Sequence, residues 1–148
     1  MQLEVLDAHA VTAVHALLQS AGLPVADLVT SRPKLFGVHD ATGLIGVIGL
    51  EGAGPAALLR SLAVRSDQRG RRLGTTLVRA LEARAPSLGV TELWLLTTTA
   101  EAFFLHLGYE PAVRDTAPVT IRETAEFRSI CPSSAACLRK TLAPAPGS

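Results

Sequence analysis

Hydrophobic and polar positions along the chain change their period from block to block, and each period predicts a type of element. Alternation, or a short continuous apolar run, is typical of a strand, whereas apolar residues every three or four positions indicate a helix. The segments with the first pattern lie at residues 2–6, 34–39, 44–50, 57–64, 91–96, 109–113 and 136–142. The segments with the second pattern lie at residues 11–21, 73–85, 100–107 and 118–130, with a helical turn at 25–29. Because strands and helices are mixed, the sequence predicts an α/β or α+β domain with one central sheet.

Polar residues and glycines mark where these elements begin and end. Asp7 is the predicted cap of the first helix, Asp40–Gly43 is a hairpin turn, and Gly108 has the position of a C-terminal helix stop. No repeat or linker divides the chain. We therefore predict one domain over residues 1–142 and a loose tail over residues 143–148.

Composition narrows the class of protein. The 148 residues are 48% hydrophobic and 18% charged, which is enough apolar material for a sizeable core and excludes global disorder. The net charge of +1 argues against a nucleic-acid or membrane-surface binder. The chain has no apolar run of the roughly 18 to 20 residues that span a bilayer. Glu4 and Asp7 do not fit a signal peptide, so we expect a cytoplasmic protein. We expect it to be a monomer or a homodimer.

The loop between the strand at 57–64 and the helix that begins at Leu73 carries the clearest chemical signal. A strand that runs into a glycine-bearing loop and then a helix directs several backbone N–H groups and the positive end of the helix dipole at one place. Gly70 and Gly74 permit close approach to a phosphate, and the arginines add positive charge. The alternative is a solvated helix start whose arginines serve solubility. The loop is not a Walker loop, because it lacks Gly-Lys-Ser/Thr.

Two segments resemble signatures of the GNAT N-acetyltransferases. Leu62-Ala-Val with Gln68-Arg-Gly-Arg-Arg-Leu-Gly74 is similar to the acetyl-CoA loop of that superfamily, and Ala102-Phe-Phe-Leu-His-Leu-Gly-Tyr109 is similar to its second signature. Arg72 stands where the family usually has a second glycine. The order of elements fits over nearly the whole chain. The resemblance implies a GNAT-like domain with a mixed sheet of about six to seven strands flanked by helices.

The same resemblance implies roles for the loop residues. Acetyl-CoA would be the acetyl donor and a small-molecule amine the acceptor, with no metal. The backbone of Leu62 and Val64 would pair with the pantetheine arm. The residues implied to hold the pyrophosphate are Arg69, Gly70, Arg71, Arg72, Leu73, Gly74 and Thr75.

A finer resemblance concerns a subfamily encoded beside arsenic-resistance genes. The segments that carry it are Leu58–Val64, Leu95–Ala100, Phe103-Phe104 and Glu126–Ala135. They are similar to arsenic-resistance N-acetyltransferases, whose relatives acetylate amino-acid antibiotics such as phosphinothricin and its arsenic analogue. This resemblance implies an amino-acid-like acceptor.

Acetyl transfer to an amine requires deprotonation of the amine, stabilisation of the thioester oxygen and departure of a thiolate. Many GNAT enzymes place a tyrosine acid four residues before the glycine that ends the fourth helix, and here that position is Phe104. Coenzyme A thiolate can leave without a strong acid. Glu51, at the end of an apolar strand, is a candidate base, and its alternative is an exposed hairpin carboxylate.

Two further places are candidates for acceptor binding. Arg60 lies inside an apolar strand, where a guanidinium needs a partner. It either reaches an edge, pairs with Glu51 or binds a substrate anion. Of Thr97, Thr98 and Thr99, one is expected to cap the next helix and another to contact substrate. Thr97, Thr98 and Phe104 are the predicted substrate contacts besides Arg60.

Cys131 and Cys137 lack further ligands at zinc spacing, so we expect Cys137 to pack in the last strand and Cys131 to lie near the mouth of the substrate slot. A thiol–arsenic contact is the alternative. The connection from Thr116 to Ser134 is long for the superfamily and is a candidate lid. Its predicted contributors are Ile121, Arg122, Glu126 and Phe127.

Two other functions compete with an acetyltransferase. Gly52–Ala57 matches a loose dinucleotide fingerprint, but the helix and acidic strand end that a dinucleotide fold needs do not follow. A catalytically silent domain that binds acyl-CoA as a sensor is the stronger alternative, because Phe104 occupies the position of the acid.

Overall fold

The computed structural model describes residues 3–52, 54–70 and 72–142, without the side chains of residues 129 and 130. Within these residues the strands are β1 Glu4–Val5, β2 Lys34–Asp40, β3 Gly43–Glu51, β4 Ala56–Val64, β5 Glu92–Thr97, β6 Glu110–Pro111 and β7 Ala136–Thr141. The α-helices are α1 Val11–Ser20, α2 Leu28–Ser31, α3 Leu73–Arg84, α4 Glu101–His106 and α5 Val119–Arg122. None of the described helices is both long enough and apolar enough to cross a membrane.

The strands form a mixed sheet with the hydrogen-bonded order β1-β2-β3-β4-β5-β7-β6. The pairs β1–β2, β2–β3, β5–β7 and β6–β7 are antiparallel, and β4–β5 is parallel. This arrangement of seven strands with helices confirms the predicted α/β class.

The chain divides into two compact units, and the division falls at the last residue of β3 and within β4. The first unit comprises Met1–Leu50 and Arg60–Ala83. Its core forms where α1 packs on β3 and β4, and its buried members are Val14, Leu17, Leu18, Leu44, Val47 and Ala63. The predicted hairpin is confirmed, since Lys34 pairs with Leu50 and Asp40 with Gly43. Asp7 accepts a hydrogen bond from the N–H of His9 at 2.9 Å, as expected for a cap, although it caps a 3-10 turn that precedes α1.

The second unit comprises Glu51–Leu59 and Arg84–Ser148. One of its cores lies on a face of the sheet that the segment after β6 covers. Its buried members are Leu58, Trp94, Ala117, Ile121, Phe127 and Cys137. Gly108, with φ +97°, ends α4 as predicted. The N–H of Tyr109 donates to Phe104 O at 3.1 Å and that of Gly108 to Leu105 O at 3.1 Å, which is the Schellman arrangement.

The same hydrogen bond shortens one predicted strand. The sequence predicts a strand over residues 109–113, but β6 has two residues. It begins after Tyr109 because the N–H of Tyr109 closes the helix. The prediction of one helix over 118–130 is also wrong. That segment forms the four-residue α5 and a π-helix at Glu126–Ile130. Between them the Thr124 hydroxyl donates to Ile121 O at 2.7 Å and accepts from the N–H of Phe127 at 3.4 Å, so a side chain competes with the helical backbone pattern.

The predicted tail, residues 143–148, lies outside the described residues.

Candidate functional site

The loop that joins β4 to α3 has the local geometry of an anion-binding turn. Its described residues include a 3-10 turn at Ser66–Gln68 and two left-handed residues, Gly70 at φ +83° and Arg72 at φ +60°. A Cβ placed on Gly70 would meet nothing within 4 Å, so the backbone there faces open space. A Cβ-sized group can therefore approach Gly70 without meeting any atom beyond its two chain neighbours.

The N-terminus of α3 supplies hydrogen-bond donors next to this loop. The N–H of Thr76 donates to Arg72 O at 3.0 Å, so it is engaged within the turn. The N–H groups of Leu73, Gly74 and Thr75 belong to the first turn, where a helix provides no acceptor four residues back. The N–H of Arg69 donates to Ser66 O at 3.4 Å, which leaves it a weaker candidate donor than the helix positions.

Positive side chains surround the turn, but they do not all have the same role. Arg69 and Arg72 are exposed, and Arg71 lies outside the described residues. Arg65 is committed to the protein, since its Nε and Nη2 donate to the Asp67 carboxylate at 2.7 and 3.0 Å. This contact lowers the pKa of Asp67 from its ordinary value.

Arg65 also ties the loop to the β2–β3 turn. Its Nη2 donates to the Thr42 hydroxyl at 2.8 Å, and the backbone N–H of Thr42 donates to the Asp40 carboxylate at 2.7 Å. The Thr42 hydroxyl also donates to the Asp40 carboxylate, and this hydrogen bond, together with the one from the Thr42 N–H, lowers the pKa of Asp40. The backbone N–H of Arg65 donates to Ile45 O at 2.9 Å. The start of the loop is therefore fixed to its own unit by side-chain and main-chain bonds.

The structure gives Arg60 a partner that the sequence did not reveal. Its side chain is fully buried, and Nη1 and Nη2 donate to the two oxygens of Asp27 at 2.5 and 2.7 Å. Asp27 is itself only 5% exposed. The hydrogen bond from Arg60, reinforced by one from Ser31, lowers the pKa of Asp27 although burial opposes the shift. This geometry favours a role within the protein over a direct contact of Arg60 with substrate.

The next residue along β4 has an unusual backbone. Ser61 is buried and has φ +60°, a left-handed conformation inside a strand. The Nε of Arg60 donates to its hydroxyl at 3.1 Å. Leu62 and Val64, the predicted pantetheine partners, follow directly and are half-buried.

The candidate acceptor and catalytic residues of the second unit occupy defined positions. Thr97 ends β5, and its hydroxyl accepts from the N–H of Ala100 at 3.0 Å. Ala100 is the N-cap residue of α4, and no side chain caps that helix, so the prediction of a threonine cap is wrong. Thr98 is exposed. Glu51 is the last residue of β3 and is partly exposed. Phe104 is 4% exposed and meets Phe103 and Tyr109 edge-on, with ring centroids 5.0 and 5.3 Å away.

The two cysteines differ in their surroundings. Cys137 packs in β7 as expected, and burial raises the pKa of its thiol while the charge of Arg114 opposes the rise. Cys131 is partly exposed, with Sγ 3.7 Å from a carboxylate oxygen of Glu126. Among the described residues, no group of three or more His, Cys, Asp or Glu side chains is arranged to hold a metal ion.

The predicted lid residues pack within the second unit. Ile121, Glu126 and Phe127 are buried, whereas Arg122 is exposed and donates from Nε to Ala117 O at 2.9 Å. Arg114 holds the segment from the other side, donating to Phe127 O and Pro132 O at 2.8 Å each. Sequence reasoning did not single out Arg114, because a loop arginine carries no signal of a main-chain clamp.

A surface cavity of about 480 Å³ also lies in the second unit, away from the β4–α3 loop along the chain. Charged and polar side chains that line this cavity form ion pairs and hydrogen bonds with one another. Arg139 lies 3.1 Å from Glu110 and 3.8 Å from Glu92, and the Trp94 indole N–H donates to Glu92.

Comparison with known proteins identifies the family. The model of the acetyltransferase (GNAT) domain matches residues 32–111. No curated protein sequence matches the chain. Among solved structures, N-acetylglutamate synthase from Neisseria gonorrhoeae, complexed with coenzyme A and N-acetyl-glutamate, is similar with a TM-score of 0.80 at 18% identity. The match covers 96% of this chain and 35% of the synthase, so the chain spans about a third of that protein's length.

Two shorter proteins are similar over nearly their whole length. Rv2747 from Mycobacterium tuberculosis, in complex with CoA and NLQ, has a TM-score of 0.76 at 15% identity, with 97% of this chain and 100% of that chain covered. The ribosomal-protein-S18-alanine N-acetyltransferase from Escherichia coli has a TM-score of 0.69 at 18% identity, with 99% and 96% covered. These likenesses support the fold. Because the family model spans more than half of the 148 residues, the chain belongs to the GNAT acetyltransferase family.

Proposed function

We propose that this protein transfers an acetyl group from acetyl-CoA to the primary amine of a small molecule. The observation that carries the proposal is the β4–α3 turn, with its left-handed Gly70 and Arg72 before a 12-residue helix. In a chain of the GNAT family, this turn is the expected place for the pyrophosphate of coenzyme A.

The residues of the turn fit a pyrophosphate. Backbone N–H groups at Gly70 and at the start of α3 would donate hydrogen bonds to the phosphate oxygens, since the open side of Gly70 leaves room and the helix dipole favours negative charge. The exposed Arg69 and Arg72 would add charge, as we propose for Arg71. The main chain of Leu62 and Val64 would pair with the pantetheine arm.

The chemistry is an acyl transfer in which the amine nitrogen attacks the thioester carbonyl and the C–S bond breaks. Acetyl-CoA supplies the activated thioester. We propose that Glu51 takes the proton that the amine loses, directly or through a water. Phe104 has no hydroxyl and is enclosed by Phe103 and Tyr109, so the thiolate would leave without an acid from this position.

For the acceptor, we propose an amino-acid-like amine, and in particular phosphinothricin or its arsenic analogue. The support is the resemblance to the arsenic-resistance N-acetyltransferases, together with the amino-acid product bound in the structurally similar N-acetylglutamate synthase. Thr98 is exposed and is the threonine that we propose to contact the acceptor, whereas the hydroxyl of Thr97 is engaged by the N–H of Ala100.

A thiol-release assay with acetyl-CoA tests this proposal. The acceptors would be a panel of amino acids with their phosphinic and arsinic analogues, and neutral amines of similar size would serve as controls. Release of coenzyme A that depends on one acceptor class supports the proposal and identifies the class. Tight binding of acetyl-CoA without turnover on any amine would favour the alternative, a silent acyl-CoA sensor. Absence of acetyl-CoA binding would overturn both.

A further inference from the structure

The Asp27–Arg60 pair lies beside the left-handed Ser61, and neither is explained by the proposed chemistry. A non-glycine residue with left-handed backbone is strained, and such residues persist only where their surroundings hold them. Within β4, strain at Ser61 therefore requires a support. The neighbouring Arg60 is the side chain in a position to give it.

The guanidinium of Arg60 forms a bridge between two elements. Its two terminal nitrogens are fixed by Asp27, and its Nε donates to the Ser61 hydroxyl at 3.1 Å. Asp27 is held in turn by Ser31, whose hydroxyl donates to it at 2.7 Å, and the N–H of Ser31 donates to Asp27 O at 2.7 Å. The bridge thus runs from the start of α2 to one hydroxyl in β4. The planar fork of arginine allows all of these contacts at once.

The left-handed residue has a visible effect on the strand. From Ala57 to Ser61 every residue of β4 is buried, whereas Leu62, Ala63 and Val64 alternate between half-buried and buried. An irregular residue within a strand redirects the residues that follow it. The conformation of Ser61 therefore helps to set the direction of the main chain at Leu62 and Val64.

We propose that Asp27 is a positioning residue. Acting through Arg60, it holds Ser61 in its left-handed conformation and so presents the main chain of Leu62–Val64 to the pantetheine arm. This inference rests on the proposed binding of acetyl-CoA. It assigns to Asp27 and Arg60 a function in cofactor affinity rather than a contact with the acceptor.

The first test is Ser61→Val, which leaves the Asp27–Arg60 pair in place. A β-branched residue resists φ +60°, so the strand should relax and acetyl-CoA should bind about tenfold more weakly, comparable with the strain of one left-handed residue. Ser61→Gly accepts the same φ without strain and should bind as the wild type does. Arg32→Val is the matched control, because Arg32 is exposed and left-handed at φ +47° outside β4.

The second test is rescue. Asp27→Asn should weaken acetyl-CoA binding by a similar factor, and Asp27→Asn with Ser61→Gly should recover the affinity without recovering the thermal stability. Affinities would be measured by calorimetry with acetyl-CoA, alongside thermal unfolding. If Ser61→Val binds acetyl-CoA like the wild type, or Ser61→Gly rescues nothing in Asp27→Asn, the inference is overturned while the proposed function stands. If the wild type itself does not bind acetyl-CoA, the proposed function fails and the inference fails with it.

Discussion

The carboxylate of Asp27 receives both terminal nitrogens of the Arg60 guanidinium across a separation of 33 residues in the chain. Both groups are buried, so each offsets part of the desolvation free energy that the other would lose if it were buried without a partner. Arginine stays charged at any ordinary pH, which leaves the carboxyl of Asp27 as the member of the pair that titrates.

This pair predicts a loss of stability in acid. Arg60 lowers the pKa of Asp27 below its ordinary value of 3.8 in the folded protein. A lowered folded pKa contributes stability that is fully present above the unfolded pKa and is lost as the pH falls through the folded one. The free energy of unfolding, measured by urea titration, should therefore decline below about pH 4, and Asp27→Asn should flatten this decline. Asp115→Asn, at an exposed carboxyl, is the control, and an equal flattening in both variants would contradict the assignment.

The second prediction compares two glycines with the same backbone. Gly70 has φ +83° and Gly89 has φ +82°, and a Cβ at either would meet nothing within 4 Å. Leucine should therefore strain the two sites alike and lower thermal stability by a similar amount, about 1 kcal/mol or more. Only Gly70→Leu should weaken the binding of acetyl-CoA, because its side chain would fill the open side of the turn. Calorimetry would show the difference, and parallel losses of affinity in both variants would argue against a pyrophosphate at Gly70.

The third prediction concerns the anchor of the loop. Arg65→Lys keeps the charge but loses the two-pronged contact with Asp67 and the bond to Thr42. The loop should become less ordered, so acetyl-CoA should bind several-fold more weakly with little change in thermal stability, because exposed ion pairs contribute little to stability. Arg79→Lys is the matched control, since Arg79 pairs with Glu82 on the surface of α3. Equal acetyl-CoA affinities in the two variants would show that Arg65 does not organise the site.

The fourth prediction concerns the missing hydroxyl at Phe104. Phe104→Tyr should still bind acetyl-CoA, and its turnover should rise, since a general acid is typically worth about 10²-fold or more. The new hydroxyl enters a buried aromatic cluster, so thermal stability should fall unless it finds a partner. Phe104→Leu, which lacks any hydroxyl, controls for the change of packing. An alkaline limb in the wild-type pH–rate profile that reports an essential side-chain acid would show that another residue already supplies the proton.

The parts of the structure that the sequence predicts are those set by near neighbours. Three such features depend on residues only a few positions apart: the hairpin at Asp40–Gly43, the end of α4 at Gly108 and the start of α3 at Leu73. The continuous helix expected at 118–130 fails because the Thr124 hydroxyl competes for backbone groups, which propensity alone does not register.

Contacts between residues far apart in the chain cannot be predicted from local sequence patterns. An arginine in an apolar strand indicates that a buried acceptor exists, but nothing local selects Asp27 among the acidic residues of the chain. The left-handed backbone of Ser61 cannot be predicted from sequence either, since serine is an ordinary strand residue. In the candidate site, the loop motif can be predicted from sequence because its backbone donors are consecutive residues. The Asp27–Arg60 pair cannot, because its two members lie 33 residues apart in the chain.

The last prediction separates two roles for Arg60. If Arg60 gripped an anionic acceptor, Arg60→Lys would raise KM for anionic amines and leave acetyl-CoA affinity unchanged, because an ammonium cannot reproduce the fork. The observed geometry predicts the reverse. Lysine can reach one oxygen of Asp27 but cannot also donate to Ser61, so stability should fall by about 1–3 kcal/mol and acetyl-CoA should bind more weakly. The ratio of kcat/KM for an anionic amine to that for a neutral amine of similar size should stay constant, which a competition assay measures directly. A selective loss for the anionic amine at unaltered acetyl-CoA affinity would return Arg60 to the acceptor site and remove Asp27 from its positioning role.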